Sequence, residues 1–304
     1  MPQMRMSMRK RQVMEAYMLL LPWMLGFLVF SLGPLLGSLY LSFTQYRGYQ
    51  APSWVGFDNI QRMLFKDKLF WQSLKVTLLY AAGYLPLGLV FGFSIALLMN
   101  QKVRGILVFR TIYYLPSVVS GVAVALMWQF IFHRDFGVLN AILGWFGIDP
   151  IPWLLSERFA LVAFVIMGLW GVGSSMIIYL AGLQGIPTDL YEAAAIDGAT
   201  VWQRFWRITI PMMTPTVFFN LVTGLIGTLQ IFATAYVMTS GGPNYATYFF
   251  SLNIYDTTFK RLEFGYASAL AWVLFVLILI LTLLVFGTSK RWVYYEHDVE
   301  RRPA

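Results

Sequence analysis

The sequence predicts an all-α, polytopic membrane protein with about six transmembrane helices. Hydrophobic residues make up 59% of the 304 residues and charged residues only 12%, whereas soluble globular chains carry about 25% charged residues. The apolar residues also form blocks of the length that a helix needs to cross a hydrocarbon core about 30 Å thick. Six segments have this length: 16–43, 76–99, 111–132, 159–182, 213–238 and 265–287. We therefore expect one transmembrane domain over residues 1–304.

The first segment follows a basic N-terminus, a pattern that secretory signal peptides share. Its apolar run, residues 16–43, is too long for a signal peptide and is not interrupted by a small-residue cleavage site, so we predict a retained helix. The last segment is the most apolar, with fourteen Leu, Ile, Val or Phe between Leu270 and Phe286. These side chains favour insertion into a membrane by roughly 4 to 8 kcal/mol.

Lysine and arginine near the helix ends predict the orientation of the chain. With a cytoplasmic N-terminus, the inner segments hold thirteen of the 22 basic residues, and the shortest loop, residues 100–110, is basic without an acid. Both termini are then cytoplasmic, and residues 44–75, 133–158 and 239–264 form outer loops that we expect to be rich in turns. One outer loop opposes the bias, since it carries Arg47, Arg62, Lys66 and Lys68.

The spans lack the groups that several other functions require. None holds an Asp, Glu, Lys or Arg well inside its bounds, which argues against proton coupling but leaves sodium coupling open. The chain has no Gly-Lys pair and so no Walker A loop. It has no cysteine, and its two histidines, His133 and His297, lie outside the spans. The net charge of +8 sits in short clusters beside apolar blocks, which disfavours nucleic-acid binding.

The hydrophilic segment 183–212 predicts a helix-turn-helix. A helix can start after Pro187, where Asp189 and Glu192 have the spacing of a capping box, and Gly198 can end it. Thr200 and Gln203 repeat that spacing and predict a second helix.

Two interpretations of this segment stay open. We expect its second helix to run through Trp202 and Trp206 until Pro211 ends or kinks it. The two tryptophans would suit an amphipathic connector that lies in the membrane interface. The small alanines before Gly198 would equally suit an element that docks a partner protein.

This segment resembles the EAA loop of permease subunits of binding-protein-dependent ABC importers, on the residues Glu192, Ala193, Ala194, Asp197, Gly198, Ala199, Ile208 and Pro211. The family commonly has Leu where this chain has Ile210. Further matches cover nearly the whole chain and resemble carbohydrate permeases of the maltose and glycerol-phosphate type, as the first of two non-identical subunits. They are Trp54–Asn59, Phe109–Thr111 with Leu115-Pro116, Gly241–Pro243, Gly265–Ala269 and Trp292–Glu296.

The resemblance implies the type I ABC importer permease fold and a non-enzymatic subunit that moves a mono- or oligosaccharide across the bacterial cytoplasmic membrane. The implied partners are a second homologous permease subunit, two ATP-binding-cassette ATPase subunits, an extracytoplasmic solute-binding protein and membrane lipids. ATP is then bound by the ATPases, and the permease needs no cofactor. Coupling to the ATPases is implied for Glu192, Ala193, Ala194, Asp197 and Gly198.

Spans three to five carry the neutral hydrogen-bonding and aromatic groups that suit a sugar. Similarity to maltose-type permeases implies a substrate path that includes Ser117, Gly121, Trp170, Gly171, Ser174, Thr228 and Gln230. For each of these residues the alternative is packing between helices, where small and hydroxyl residues are common in lipid. Two alternative functions are a stand-alone secondary transporter or channel for a neutral solute and a membrane-embedded enzyme, although catalytic candidates are lacking.

Overall fold

The computed structural model describes residues 8–294, which are mostly helical. The predicted cytoplasmic termini, with Arg5, Tyr295, Glu296, His297, Arg301 and Arg302, lie outside the described residues. The helices are α1 (Met8–Phe27), α2 (Gly33–Ser42), α3 (Asp58–Phe65), α4 (Lys68–Met99), α5 (Ile106–Tyr114), α6 (Gly121–Ile131), α7 (Val138–Trp145), α8 (Glu157–Trp170), α9 (Gly173–Gln184), α10 (Thr188–Ile196), α11 (Val201–Arg204), α12 (Ile210–Leu229), α13 (Ala233–Met238), α14 (Phe250–Tyr255) and α15 (Phe264–Ser289).

Shorter elements join some of these helices. Single π-helical turns span Leu28–Leu32, Phe205–Thr209 and Asp256–Lys260, and a 3₁₀ turn spans Leu115–Val118. Strands β1 (Thr44–Gln45) and β2 (Ser53–Trp54) form a small antiparallel hairpin in which Thr44 pairs with Trp54 and Gln45 with Ser53. The predicted outer loops therefore contain regular structure, namely this hairpin, α3, α7 and α14, beside their turns.

Four helical stretches in the described part are long and apolar enough to cross a membrane: Met14–Ser42, Lys68–Met99, Val201–Met238 and Phe264–Ser289. Two further pairs meet the same test together but are bent, Ile106–Val118 with Gly121–Ile131 by 101° and Glu157–Trp170 with Gly173–Gln184 by 44°. If each bent pair counts as one span, the described part of the chain has up to six candidate spans. The predicted fold class, an all-α multi-pass membrane protein, is confirmed.

Of the two predicted effects of Pro211, the structure contradicts the first: Pro211 does not end the second helix of the 183–212 segment. Helix α11, the π-turn Phe205–Thr209 and α12 follow one another without a gap. A π-turn holds an extra residue, which widens the backbone directly before the proline. The ring of Pro211 then lies in the first turn of α12, where a missing N–H costs least.

The chain divides into two compact units, of which the first comprises the residues up to Lys66 together with Ile254–Val273. Within it the side-chain amide of Asn59 donates to the carbonyls of Ser42 and Thr44, at 2.8 and 3.0 Å. The backbone N–H of Gly265 donates to Tyr46 O at 3.2 Å. A Cβ at Gly265 would overlap the Thr44 carbonyl, so only glycine lets the start of α15 lie this close to the hairpin.

The second unit comprises Asp67–Asn253 and the residues from Leu274 onward. Helix α4 packs there against α8, α9 and α12. One buried cluster forms around Tyr80, Phe164 and Phe249, and a second around Tyr179 and Met213. The second cluster lies directly beneath the 183–212 segment, because Leu183 and Ile186 belong to it. This segment therefore rests on a packed core.

Candidate functional site

Helix α10 begins at Thr188, immediately after Pro187, whose backbone is extended with ψ 130°. No side chain caps this end, so the predicted capping box of Asp189 and Glu192 was wrong. Asp189 lies inside the first turn, where its negative charge interacts favourably with the positive end of the helix dipole. From this position its side chain does not accept the capping hydrogen bond. Glu192 is left exposed on the surface of α10.

Gly198 ends α10 as predicted. The N–H of Ala199 donates to Ala194 O at 2.9 Å and that of Gly198 to Ala195 O at 3.1 Å, the two bonds of a Schellman motif. Gly198 has φ +79°, in the left-handed region, and a Cβ there would meet nothing within 4 Å. Glycine is therefore required by the backbone conformation and not by lack of space.

The predicted capping box of Thr200 and Gln203 is confirmed. Thr200 Oγ1 accepts from the N–H of Gln203 at 3.3 Å, and Gln203 Oε1 accepts from the N–H of Thr200 at 2.8 Å. This box starts α11 only two residues after Gly198. Helices α10 and α11 therefore form a compact helix-turn-helix.

The five residues predicted to couple to an ATPase lie on this one loop. Ala194, Asp197 and Gly198 line a groove of about 360 Å³ between the two helices, with Arg204 and Arg207 on its other wall. Glu192 and Ala193 are exposed on α10. The loop also exposes apolar surface, most of all Ile196, which is 87% exposed. Exposed apolar side chains next to a charged groove are typical of a protein-binding surface.

One contact that the sequence did not reveal connects this loop to the fifth span. The Tyr191 hydroxyl lies 2.9 Å from Thr209 Oγ1, and Thr209 is buried in the π-turn directly before α12. Tyr191 also packs, with Ile208, against the buried cluster around Met213. A displacement of α10 would therefore act on the first turn of α12.

Two residues of the predicted substrate path flank the first helix break. Ser117 lies in the 3₁₀ turn Leu115–Val118 and Gly121 is the first residue of α6, at the 101° bend. Pro116 cannot donate an N–H, so one backbone hydrogen bond of an α-helix is lost at this point. Val119 and Ser120 are extended, with ψ 140° and 134°.

The second helix break, between α8 and α9, holds three more residues of the predicted substrate path. Trp170 ends α8, Gly171 follows it, and Ser174 is the second residue of α9 and is exposed. A Cβ at Gly173 would overlap the carbonyl oxygen of Tyr113 and lie 2.9 Å from Tyr114 Cα. The second break thus packs against the end of α5, and the structure brings the first two breaks together.

The remaining two path residues differ in their surroundings. Gln230 is exposed in the break between α12 and α13. Thr228 lies within α12, is only 5% exposed, and donates its hydroxyl to Gly224 O at 2.5 Å. It lines a pocket of about 270 Å³ together with Tyr80 and Tyr84, whose rings stack at 5.5 Å. No pattern in the sequence singles out these two tyrosines.

Irregular backbone at membrane depth is tolerated only where protein buries it or a water-filled cavity solvates it. Ser117, Gly121, Trp170, Gly171 and Gln230 all lie at or beside a helix break within the candidate spans. Such positions offer backbone carbonyls and N–H groups to a ligand. Within residues 8–294, no group of three or more His, Cys, Asp or Glu could hold a metal ion.

Residues 88–294 match the family model of the binding-protein-dependent transport system inner membrane component. The chain belongs to this family. It is therefore a multi-pass membrane permease of ABC transport systems and not an enzyme, and its EAA loop with a coupling helix fits the family.

Similar proteins cover almost the whole chain. A probable ABC transporter permease protein of Bacillus subtilis, YesP, is 44% identical over 298 residues, which cover 97% of this chain and 96% of that protein. The lactose transport system permease protein LacF of Rhizobium radiobacter is 36% identical, with 94% and 97% covered. A crystal structure of a bacterial alginate ABC transporter, in complex with a periplasmic protein bound to an alginate pentasaccharide, matches with a TM-score of 0.80 at 28% identity, with 92% and 96% covered.

We expect Tyr191→Phe to loosen α10 without unfolding the protein, because it removes only the hydroxyl contact with Thr209. A hydrogen bond worth about 0.5–1.5 kcal/mol corresponds to roughly 2- to 12-fold faster exchange of the α10 amides. Hydrogen exchange with mass spectrometry measures this. Thr209→Val should give the same effect and the double variant no more, whereas additive effects would show that the two hydroxyls act separately.

Gly173→Ala is expected to lower thermal stability, since the added methyl overlaps the Tyr113 carbonyl. Overpacking of this kind costs about 1–3 kcal/mol. Gly287→Ala is the matched control, because a Cβ at Gly287 in α15 meets nothing within 4 Å. Thermal unfolding of the purified variants in detergent compares them, and an equal melting temperature for both would contradict the close contact between the breaks.

Proposed function

We propose that this permease carries a carbohydrate across the cytoplasmic membrane as one of two homologous subunits, driven by separate ATP-binding-cassette ATPases and supplied by an extracytoplasmic solute-binding protein. The similar proteins support this proposal. LacF is a lactose permease, and the alginate transporter was crystallised with a periplasmic protein that holds a pentasaccharide. We further propose cytoplasmic N- and C-termini, in agreement with the distribution of basic residues.

The observation that carries the proposal is the exposed helix-turn-helix and its contact with α12. Helix α10 presents Glu192 and Ala193 to a partner, while the Tyr191–Thr209 contact ties it to the start of the fifth span. Helix α12 has 20 residues and is therefore roughly 30 Å long, about the thickness of the hydrocarbon core. Its far end reaches the break at Gln230.

This arrangement would let a displacement of α10 act on α12. When ATP binding closes the ATPases, a pull on α10 is passed to the first turn of α12 and along that helix to the Gln230 break. The solute cavity then opens outward, and hydrolysis resets it. Glu192 would supply an electrostatic contact to the ATPase, Ala193 and Ala194 would let its surface approach closely, and Gly198 would set the angle between the two short helices.

The proposed path recognises its ligand by neutral groups. None of the seven path residues is ionisable, and the breaks add backbone carbonyls and N–H groups that can bind sugar hydroxyls. Trp170, which is 38% exposed, offers an aromatic face next to these groups. Trp128 meets the Trp170 ring edge to face at 6.0 Å and so holds that ring in place.

We expect Gly198→Val to uncouple ATP turnover from uptake. A β-branched residue at φ +79° costs about 1–2 kcal/mol, so the turn between α10 and α11 changes shape while the spans still insert. The assay compares ATPase rate and sugar uptake of the assembled transporter in proteoliposomes.

Gly105→Val is the matched control for this variant. Gly105 has φ +78° and equally open surroundings, but lies outside the docking loop, which is the helix-turn-helix formed by α10 and α11. We expect it to lose similar stability and keep its ratio of uptake to ATP turnover. The proposed mechanism would be contradicted if the two variants had equal ratios of uptake to ATP turnover. It would also be contradicted if the chain alone accumulated solute in liposomes without an ATPase.

Gln230→Leu should lower uptake at an unchanged rate of ATP hydrolysis, because it removes an exposed amide from the break between α12 and α13. Loss of one hydrogen bond worth about 0.5–1.5 kcal/mol predicts a roughly 2- to 12-fold rise in the half-saturating concentration of sugar-loaded binding protein. Thr223→Val serves as the control, since Thr223 lies in the same helix outside the proposed path and its hydroxyl is already bonded to Phe219 O. Equal effects of the two substitutions would argue that Gln230 has no direct role in the path.

A further inference from the structure

A polar groove in the first unit belongs to none of the features described so far. Its volume is about 380 Å³, and residues 45–47, 55–66 and 263–266 contribute to its walls. All of these residues lie in the unit that ends at Lys66 and resumes at Ile254. The residues proposed for coupling and for the substrate path lie in the other unit.

The position of the groove along the chain sets its depth in the membrane. Ser42 ends the first candidate span and Phe264 begins the last. Gln45, three residues after the first of these, and Glu263, directly before the second, line the same groove. The groove therefore lies where two spans leave the hydrocarbon on one face, at the level of lipid headgroups.

Charged side chains give the groove a net positive charge. Arg47, Arg62 and Lys66 line it together with two acids, Asp58 and Glu263, which leaves one positive charge without a counterpart. A lipid phosphodiester carries one negative charge, so one such group would neutralise the groove. Arginine and lysine are the side chains that most often bind phosphate in proteins.

One arginine is held in place and two basic groups remain accessible. Arg62 donates from Nη2 to Glu263 Oε2 at 2.8 Å, and its guanidinium lies 4.2 Å from the centre of the Tyr266 ring. Arg47 has a longer contact of 4.0 Å with Glu263 Oε1, and its side chain is 50% exposed. Lys66 is exposed at the end of α3. Arg47 and Lys66 can therefore turn donors toward an incoming anion.

Aromatic side chains around the groove indicate contact with lipid. Trp54 and Phe57 are both exposed, and Phe65, at the end of α3, is 82% exposed. Trp54 stacks on Phe43, the residue after the first span, at 5.6 Å. Aromatic residues of this kind are enriched at membrane interfaces, and a short helix with a polar and an apolar face suits that location. A site for a soluble anion would not need them.

We propose that this groove binds the phosphate of an anionic phospholipid headgroup in the adjacent leaflet, with Arg47 and Lys66 as donors and Glu263 holding Arg62 beside them. The proposal does not depend on which sugar is carried. It also gives a role to Arg47, Arg62 and Lys66, three of the four basic residues named above that oppose the orientation bias of the rest of the chain.

The test uses the full chain in nanodiscs with equal amounts of phosphatidylglycerol and phosphatidylcholine, followed by native mass spectrometry of the lipids that stay bound. We expect the wild type to retain one phosphatidylglycerol in preference to phosphatidylcholine. Each basic residue near a membrane surface contributes about fivefold in affinity for anionic lipid. Arg47→Gln and Lys66→Gln should each lower the retained fraction by about that factor, and Asp58→Asn should raise it.

The control is Arg134→Gln, which removes an exposed arginine outside the groove and should leave retention unchanged. Arg62 is not substituted, because its contacts with Glu263 and Tyr266 support the fold of the unit. Equal retention of the two lipids by the wild type, or wild-type retention in both groove variants, would overturn the proposal.

Two further outcomes would assign the groove to a different ligand and would also overturn the lipid proposal. We expect inorganic phosphate or glycerol 1-phosphate at millimolar concentration to leave the lipid bound, because the acyl chains of the lipid also contribute to its binding. Full displacement by these soluble anions would assign the groove to free phosphate. Loss of stimulation by the binding protein in Arg47→Gln, measured in detergent without phosphatidylglycerol, would assign it to protein docking.

Discussion

Water cannot satisfy a backbone N–H or carbonyl within the hydrocarbon of a membrane, and this constraint decides where the chain is helical and where it is not. Helices α4 and α15 bond their own backbone over 32 and 26 residues. The breaks after α5, α8 and α12 interrupt that bonding inside candidate spans. Each break must be covered by protein or face a wet cavity, so the positions that weaken the helices are also the positions suited to a polar solute.

The same constraint explains how a contact at one face can act at a distance. Helix α12 follows the π-turn Phe205–Thr209 without a gap, so its backbone bonding continues from the docking loop into the span. Under the proposed mechanism, this continuous helix would pass on a displacement of α10 that a flexible linker would absorb. The Tyr191–Thr209 contact acts on the turn where that helix begins.

The sequence predicted features that depend on neighbouring residues in the chain. Apolar length was enough to predict an all-α multi-pass membrane protein, and Gly198 and the Thr200–Gln203 pair were found because caps act over two to four residues. The Asp189–Glu192 box had the same spacing and did not form, since Pro187 takes the cap position. Spacing alone does not say which residue starts a helix.

Features that depend on the tertiary fold could not be predicted. The hydroxyls of Tyr191 and Thr209 are 18 residues apart, and only the packing around Met213 brings them together. The 101° bend between α5 and α6 follows from the extended Val119 and Ser120, which no local pattern predicted. The groove around Glu263 combines residues about 200 positions apart, such as Arg62, and no local pattern in the sequence connects them.

Charge is divided between the faces and the interior of the protein in a way that fits transport of a polar solute. The docking loop carries Glu192, Asp197, Arg204 and Arg207, and the headgroup-level groove carries five charged side chains. At these positions water or lipid phosphate can compensate the charges. The helix breaks that hold the proposed path residues offer only neutral groups, as expected where a charge away from water would be costly. A path that must load and unload in every cycle is better served by several weak, neutral hydrogen bonds.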